Sequence, residues 1–312
     1  MRAPPMGFIE TALQMVTLAI PILIGYVAHK LGFLGGDFDS ALSKLVINIT
    51  LPCMILVSVC GRELPPATEL LQLLALSAAG YVMAVIVALI APRLIRAPES
   101  GAYSFVIAFG NVGFIGFPVL NAVLGPDAVL YAAIANIPWY ILSSSIGVLM
   151  ISGLPEGGLA KALRASAKRL VSPMLVASLI VLAFALVGIN DFGVVGDGLS
   201  NVGAFTTPAA LLICGSSLAN YSAREMLSNW RAYVATALRL VGVPLLLFAT
   251  LRGFAATPLI LSVIVLGQAM PVATNGILYC LMYGMDAKPV MQGMFLSVFA
   301  SILTIPLMAL IV

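Results

Sequence analysis

The chain has 312 residues, 62% of them hydrophobic and 9% charged, with a mean hydropathy of +1.13. Soluble domains carry about 25% charged residues, so a water-soluble globular protein is excluded. The net charge is only +3, and nucleic acid is not an expected partner; the lipid bilayer is.

At roughly 20 residues per crossing, the apolar tracts accommodate ten helices, over about 8–29, 40–60, 70–92, 102–124, 128–151, 171–189, 198–219, 230–251, 257–283 and 288–311. The first tract is long and barely preceded by charge, so it reads as a retained helix and not a cleaved leader. The longest connection, about 152–170, is too short for a soluble domain.

Span 1 carries Gln14, Pro21 and Gly25. Span 2 holds Asn48-Ile49-Thr50-Leu51-Pro52 at its middle. Asn48 and Thr50 either line a pathway, or Thr50 bonds back to its own helix and Pro52 only kinks it. Span 3 is nearly featureless, as a scaffold or lipid-facing helix should be.

Span 4 is interrupted by Phe109-Gly110-Asn111-Val112-Gly113-Phe114-Ile115-Gly116-Phe117-Pro118. Glycine weakens a helix by roughly 1 kcal/mol and proline by about 3. A broken helix at membrane depth survives only where protein buries it or where it lines a cavity. Packing through glycines is the plainer reading. Span 9 has a matching interruption, Gly267-Gln268-Ala269-Met270-Pro271-Val272-Ala273-Thr274-Asn275-Gly276. Paired interruptions of this kind point to a transport site.

Span 5 places Asn136 and Tyr140 four residues apart, on one helix face. Beside a broken helix, that pair reads as a cavity wall. Lys161, Arg164, Lys168 and Arg169 crowd the connection after it, as a topology signal or a lipid-headgroup contact. Span 7 repeats span 2 with Thr206, Thr207 and Pro208. Span 8 starts at Trp230 and Arg231, as interfacial anchors do. It then contains Arg239, the ionisable group placed deepest in any span. With no mid-span acid to pair with, Arg239 has three open roles: snorkelling to the interface, binding a substrate carboxylate, or resting on carbonyls freed at the helix breaks. Span 10 carries Ser297, Ser301 and Thr304 on one face, as helix–helix glue.

The halves repeat. Gly32 and Gly188 lie 156 apart, as do Thr50-Leu51-Pro52 and Thr206-Thr207-Pro208. Gly125-Pro126-Asp127-Ala128 and Gly284-Met285-Asp286-Ala287 lie 159 apart. A repeat of five spans is odd, so the second copy enters the membrane from the opposite side. The expected division is 1–152, a connection at 153–170, and 171–312. Connections after spans 1, 3, 5, 7 and 9 hold eleven Lys and Arg residues, and the other side holds Arg2, Arg62 and Arg252. The positive-inside rule then places both termini outside the cytoplasm.

Cys53, Cys60, Cys214 and Cys280 fall within predicted spans with no metal-type spacing. No metal, cofactor or ATP-binding motif is expected. No Asp, Glu or His lies mid-span, which argues against an intramembrane enzyme.

The runs Asn48–Pro52, Gly110–Pro118 with Gly125, and Met270–Asn275 followed by Tyr283-Gly284-Met285-Asp286 resemble the auxin efflux carrier family. That family includes plant PIN-type carriers and bacterial members linked to malonate and other organic acids. The resemblance covers essentially the whole chain. It implies an all-α membrane protein of ten helices in two inverted repeats of five, similar to the bile-acid sodium symporter fold. Helices 1, 2, 6 and 7 would form a scaffold, and helices 3, 4, 5, 8, 9 and 10 a mobile transport domain. Helices 4 and 9 would cross near Pro118 and Pro271. By the same resemblance Asn111, Asn136 and Tyr140 would touch substrate. The chain departs from the plant pattern in having no long hydrophilic loop after helix 5.

The expected function is secondary transport of a small organic carboxylate across the cell (inner) membrane by alternating access. Asn111, Thr274, Asn275 and Arg239 would bind, with Asn48, Thr50, Thr206, Thr207 and Gln268 supporting. The alternative is a channel or a transporter-derived sensor of an organic anion. A homodimer is compatible with the sequence.

Overall fold

The computed structural model describes residues 7–154 and 171–312. The basic cluster at Lys161–Arg169 lies outside the described residues. The described chain is all helix, without a strand. Seven helices are long and apolar enough to cross a membrane: α1 (Phe8–Lys30), α2 (Gly36–Val59), α3 (Ala67–Leu94), α6 (Asp127–Ser152), α8 (Gly193–Ala219), α10 (Trp230–Leu251) and α13 (Lys288–Ala309). Three shorter apolar helices are α5 (Val112–Leu124), α7 (Pro173–Val187) and α11 (Pro258–Gln268). The remaining elements are α4 (Ser100–Ala108), the single turn α9 (Ala223–Met226) and α12 (Asn275–Met282). Predicted span 4 is thus realised as α4 plus α5, and span 9 as α11 plus α12.

Local chemistry sets several of these boundaries. α7 and α11 open with the same signature. Ser172 Oγ accepts from Leu175 N ahead of Pro173, and Thr257 Oγ1 accepts from Ile260 N ahead of Pro258. Each cap satisfies a free N–H while proline supplies a helical φ where no N–H is needed. α7 stops at Gly188, whose φ of 85° is costly for other residues.

Wide π turns occupy Val46–Thr50, Val112–Gly116 and Leu238–Gly242. Each is followed, two residues on, by a proline: Pro52, Pro118 and Pro244. A proline inside a helix removes one bond and crowds the carbonyl four residues back. The widened turn accommodates that carbonyl, so three helices pass a proline without breaking there.

Glycine brings helix backbones together. A Cβ on Gly25 would lie 2.1 Å from Leu212 O, and one on Gly215 would lie 1.9 Å from Ile22 O. α1 and α8 therefore touch at backbone distance. Between α4 and α6, a Cβ on Gly101 would lie 1.9 Å from Met150 O.

Polar side chains tie the helices into two groups. In the first, Thr206 Oγ1 donates to Thr50 Oγ1 at 2.9 Å, joining α8 to α2. Ser216 of α8 bonds both His29 Nδ1, at 2.9 Å, and Asp39. Lys30 Nζ donates to Ala219 O at 2.9 Å. In the second, Glu69 of α3 accepts from Tyr131 of α6 at 2.6 Å and from Thr257 at 3.1 Å. Gln72 clasps Phe254 O and Ala256 N, and Asn229 Nδ2 donates to Tyr103 of α4 at 2.7 Å.

Candidate functional site

The two breaks meet. Gly110 and Val272 form an antiparallel bridge. Asn111 N donates to Pro271 O at 2.6 Å, and Ala273 N donates to Phe109 O at 3.1 Å. Val272 N donates to Ser297 Oγ at 2.9 Å. Backbone groups that leave a helix at membrane depth must find partners inside the protein, and these three do. Ser297, expected as helix glue, serves the crossing itself.

Four helix ends converge here. α4 and α11 finish at the crossing with carbonyls pointing in, and α5 and α12 start from it. Helix C-termini carry partial negative charge and N-termini partial positive charge. Arg239 occupies the carbonyl side. Its Nε donates to Met270 O at 3.1 Å. Its Nη1 donates to Ile107 O at 3.3 Å, Ala108 O at 3.0 Å and Gln268 Oε1 at 2.8 Å. The side chain is fully buried, so it does not snorkel. Gly110 makes room for it, since a Cβ there would lie 1.9 Å from Nη2.

The N-terminal side opens onto a cavity of about 240 Å³. Asn111 and Phe114 line it from the start of α5, and Thr274, Asn275 and Tyr279 from the start of α12. α6 adds Tyr140, Ser143 and Ser144, with Trp139 between aromatic neighbours. Trp139 meets Phe109 edge-on at 6.4 Å and Tyr140 at 5.5 Å. The opposite wall is formed by Leu51 of α2, in the first group of helices, and by Met174 of α7, which packs against α2. None of these lining side chains is charged. The cavity therefore combines aromatic walls, uncharged hydrogen-bonding groups and the positive ends of two helices.

Asn111 Oδ1 accepts from Phe114 N at 3.0 Å and so caps α5. Asn275 Nδ2 donates to Tyr279 Oη at 3.3 Å, while its Oδ1 is buried without a partner. Ser143 Oγ is likewise buried and unpartnered.

Of the residues singled out from sequence, Asn111, Tyr140, Thr274 and Asn275 come together at this cavity. Asn136 is buried one turn away, and its carbonyl accepts from Tyr140 N at 3.0 Å. Pro271 sits in the crossing. Pro118 does not; the break falls at 109–111, and the π turn carries Pro118 past it within α5. Gln268 and Arg239 pair on the carbonyl side. Thr50 neither lines the cavity nor bonds back to its helix, because it meets Thr206 instead. Asn48 is exposed and donates to Lys44 O at 2.7 Å. Thr207, half-buried, is not among the lining residues. Tyr279 was not anticipated. Its signal is the four-residue spacing Asn275–Tyr279, which matches Asn136–Tyr140.

A family model described as membrane transport protein matches residues 11–309. An uncharacterized transporter of Methanothermobacter thermautotrophicus is 27% identical over 312 residues, covering 98% of this chain and 99% of that one. A second uncharacterized transporter, from Methanocaldococcus jannaschii, is 22% identical over 301 residues, covering 94% and 96%. Helices fit to cross a membrane, two crossing breaks and a match over nearly the whole length agree: the chain belongs to this membrane transport family, the auxin efflux carrier family that its motifs resemble.

Proposed function

We propose that the protein is a secondary carrier of small organic carboxylates, in which α3–α6 and α10–α13 move as one body against α1, α2, α7 and α8. The observation that carries this reading is the cavity. It lies on the boundary between the two hydrogen-bonded groups, at the N-termini of α5 and α12. A rigid shift of one group past the other would carry the crossing, and a bound anion, from one side to the other. The ten-helix inverted repeat belongs to this reading, and Thr50–Thr206 supports it. The two residues differ by the repeat offset of 156 and touch each other, as equivalent positions beside a two-fold axis do. The orientation with both termini outside the cytoplasm follows the charge asymmetry of the connections.

Arg239 refines the coupling. Its guanidinium already satisfies the carbonyls that a free cation would otherwise serve. The carrier then needs no sodium at the crossing, and substrate moves down its own gradient or with the membrane potential.

The test is thermal stabilisation of the purified protein by a panel of mono- and dicarboxylates, with and without sodium, followed by uptake of the best stabiliser. A ligand at one hundred times its Kd adds about 2.7 kcal/mol. A carboxylate should stabilise the protein equally in sodium and in choline buffer, and Asn275→Ala should abolish the shift. Stabilisation that appears only with sodium would overturn the role given to Arg239. No stabilisation by any carboxylate would overturn the substrate class.

A further inference from the structure

The side-chain hydrogen bonds described above each stay within one group of helices. A salt bridge crosses between the groups: Arg62 Nη1 donates to Asp127 Oδ1 at 2.6 Å. Arg62 lies in the connection between α2 and α3 and is fastened to the first group by its backbone. Asn190 Nδ2 donates to Arg62 O at 2.8 Å, and Gly61 N donates to Asn190 O at 2.9 Å. Asp127 is the first residue of α6, in the second group. A carboxylate suits a helix N-terminus, so α6 does not depend on the bridge.

The position of the pair gives it meaning. Tyr140, on the cavity wall, is 13 residues beyond Asp127 (140 minus 127), about 20 Å along a straight helix. Ser172, another lining residue, precedes α7 at the end of the chain's 153–170 connection. The cavity therefore lies toward the membrane side that carries this connection, and the bridge lies toward the other. We propose that Arg62–Asp127 is a latch that holds the two bodies together on the closed side while the cavity is open on the opposite one. The inference rests on the two-body reading above. The bridge must break for the transport body to move, so its strength sets the balance between the two states.

Its partners are partly exposed, at 23% for Arg62 and 73% for Asp127. Such a pair shifts a two-state balance by about 1.5- to 5-fold, equivalent to roughly 0.2–1 kcal/mol. The prior fixing of the Arg62 backbone places it toward the upper end, because less freedom is lost on pairing.

The experiment uses the full chain with its four cysteines replaced and Thr274→Cys as a reporter in the cavity. Sealed vesicles of both orientations are labelled with a membrane-impermeant maleimide, and the ratio of rates from the two sides is read. Arg62→Glu and Asp127→Lys should each lower labelling from the connection side relative to the far side by about 1.5- to 5-fold. Exchange of the charges, Arg62→Asp with Asp127→Arg, should restore the ratio. Melting temperatures confirm that the variants are folded. Measurable labelling from both sides, at a ratio that the single variants leave unchanged or the exchange leaves unrestored, overturns the latch alone. Labelling from one side only in every variant overturns alternating access, and the latch with it.

Discussion

Arg239 lies at the centre of the molecule because of what surrounds it, and those surroundings predict its substitutions. A buried arginine is expensive unless its donors are used. Here one guanidinium serves three backbone carbonyls and one amide oxygen, drawn from α4, α11 and the turn beyond α11. Arg239→Ala leaves these acceptors buried and unpaired. Each lost bond to a charged group is worth about 1.5–3 kcal/mol, and even partial relaxation leaves a net loss of several such bonds' worth of stability. We expect a large fall in the melting temperature of the ligand-free protein. Arg239→Lys should rescue only part of it, because a compact ammonium cannot span both helix ends as a planar fork does. A melting temperature that Arg239→Ala leaves unchanged would show that the carbonyls find water or one another. The sequence exposed the depth of Arg239 and the lack of a mid-span acid. It could not choose among three roles, because the acceptors are backbone atoms and carry no residue signature.

The crossing imposes two further requirements on its elements. Gly110 is irreplaceable for a spatial reason: its φ is not in the left-handed range, yet a Cβ would fall 1.9 Å from Arg239 Nη2 and 2.9 Å from Cζ. Nη2 itself has no hydrogen-bond partner, but Nε and Nη1 hold the planar guanidinium in place, so it has little room to yield. Gly110→Ala should cost at least the roughly 1–3 kcal/mol typical of overpacking, read as a lower melting temperature. Asn111 serves two purposes, capping α5 and facing the cavity. Asn111→Ala loses the cap, worth about 0.5–2 kcal/mol, together with the site. Asn111→Asp keeps an oxygen for Phe114 N but brings a negative charge to a site proposed for an anion. Its melting temperature should stay near that of the parent while carboxylate stabilisation disappears. If Asn111→Asp still binds a carboxylate with unchanged affinity, the N-terminal side of the crossing is not where the anion sits. The breaks were legible in sequence because glycine, asparagine and proline declare themselves. Their exact depth was not, and Pro118 shows why: a π turn absorbs its effect, so the helix breaks seven residues earlier, at Asn111.

At the scale of the whole molecule, the repeat and the charge asymmetry make one joint claim about topology. The long apolar elements were readable because membrane helices need unbroken apolar length. The division into two hydrogen-bonded groups was not readable, because its bonds join residues such as Lys30 and Ala219, 189 positions apart. Five crossings per half, as proposed, would put Leu154, after α6, and Asp191, after α7, on opposite sides, with a single crossing between them. α7 is only 15 residues long, about 22 Å at 1.5 Å per residue, which is short of a hydrocarbon core of about 30 Å. It crosses only if the flanking residues Val171 and 188–192 help complete the passage, or if the bilayer thins beside it. Single cysteines at Leu154 and Asp191, in a chain lacking its own four, decide the matter by impermeant labelling of intact cells. Asp191 should label from outside, and Leu154 only after the membrane is opened. Both labelling from outside would make α7 a re-entrant element. The halves would then not be inverted, and the Thr50–Thr206 contact would lose its meaning as a two-fold axis. Opposite labelling with Leu154 outside would keep the inverted repeat and reverse the orientation read from the eleven basic residues, moving the proposed latch to the cytoplasmic face.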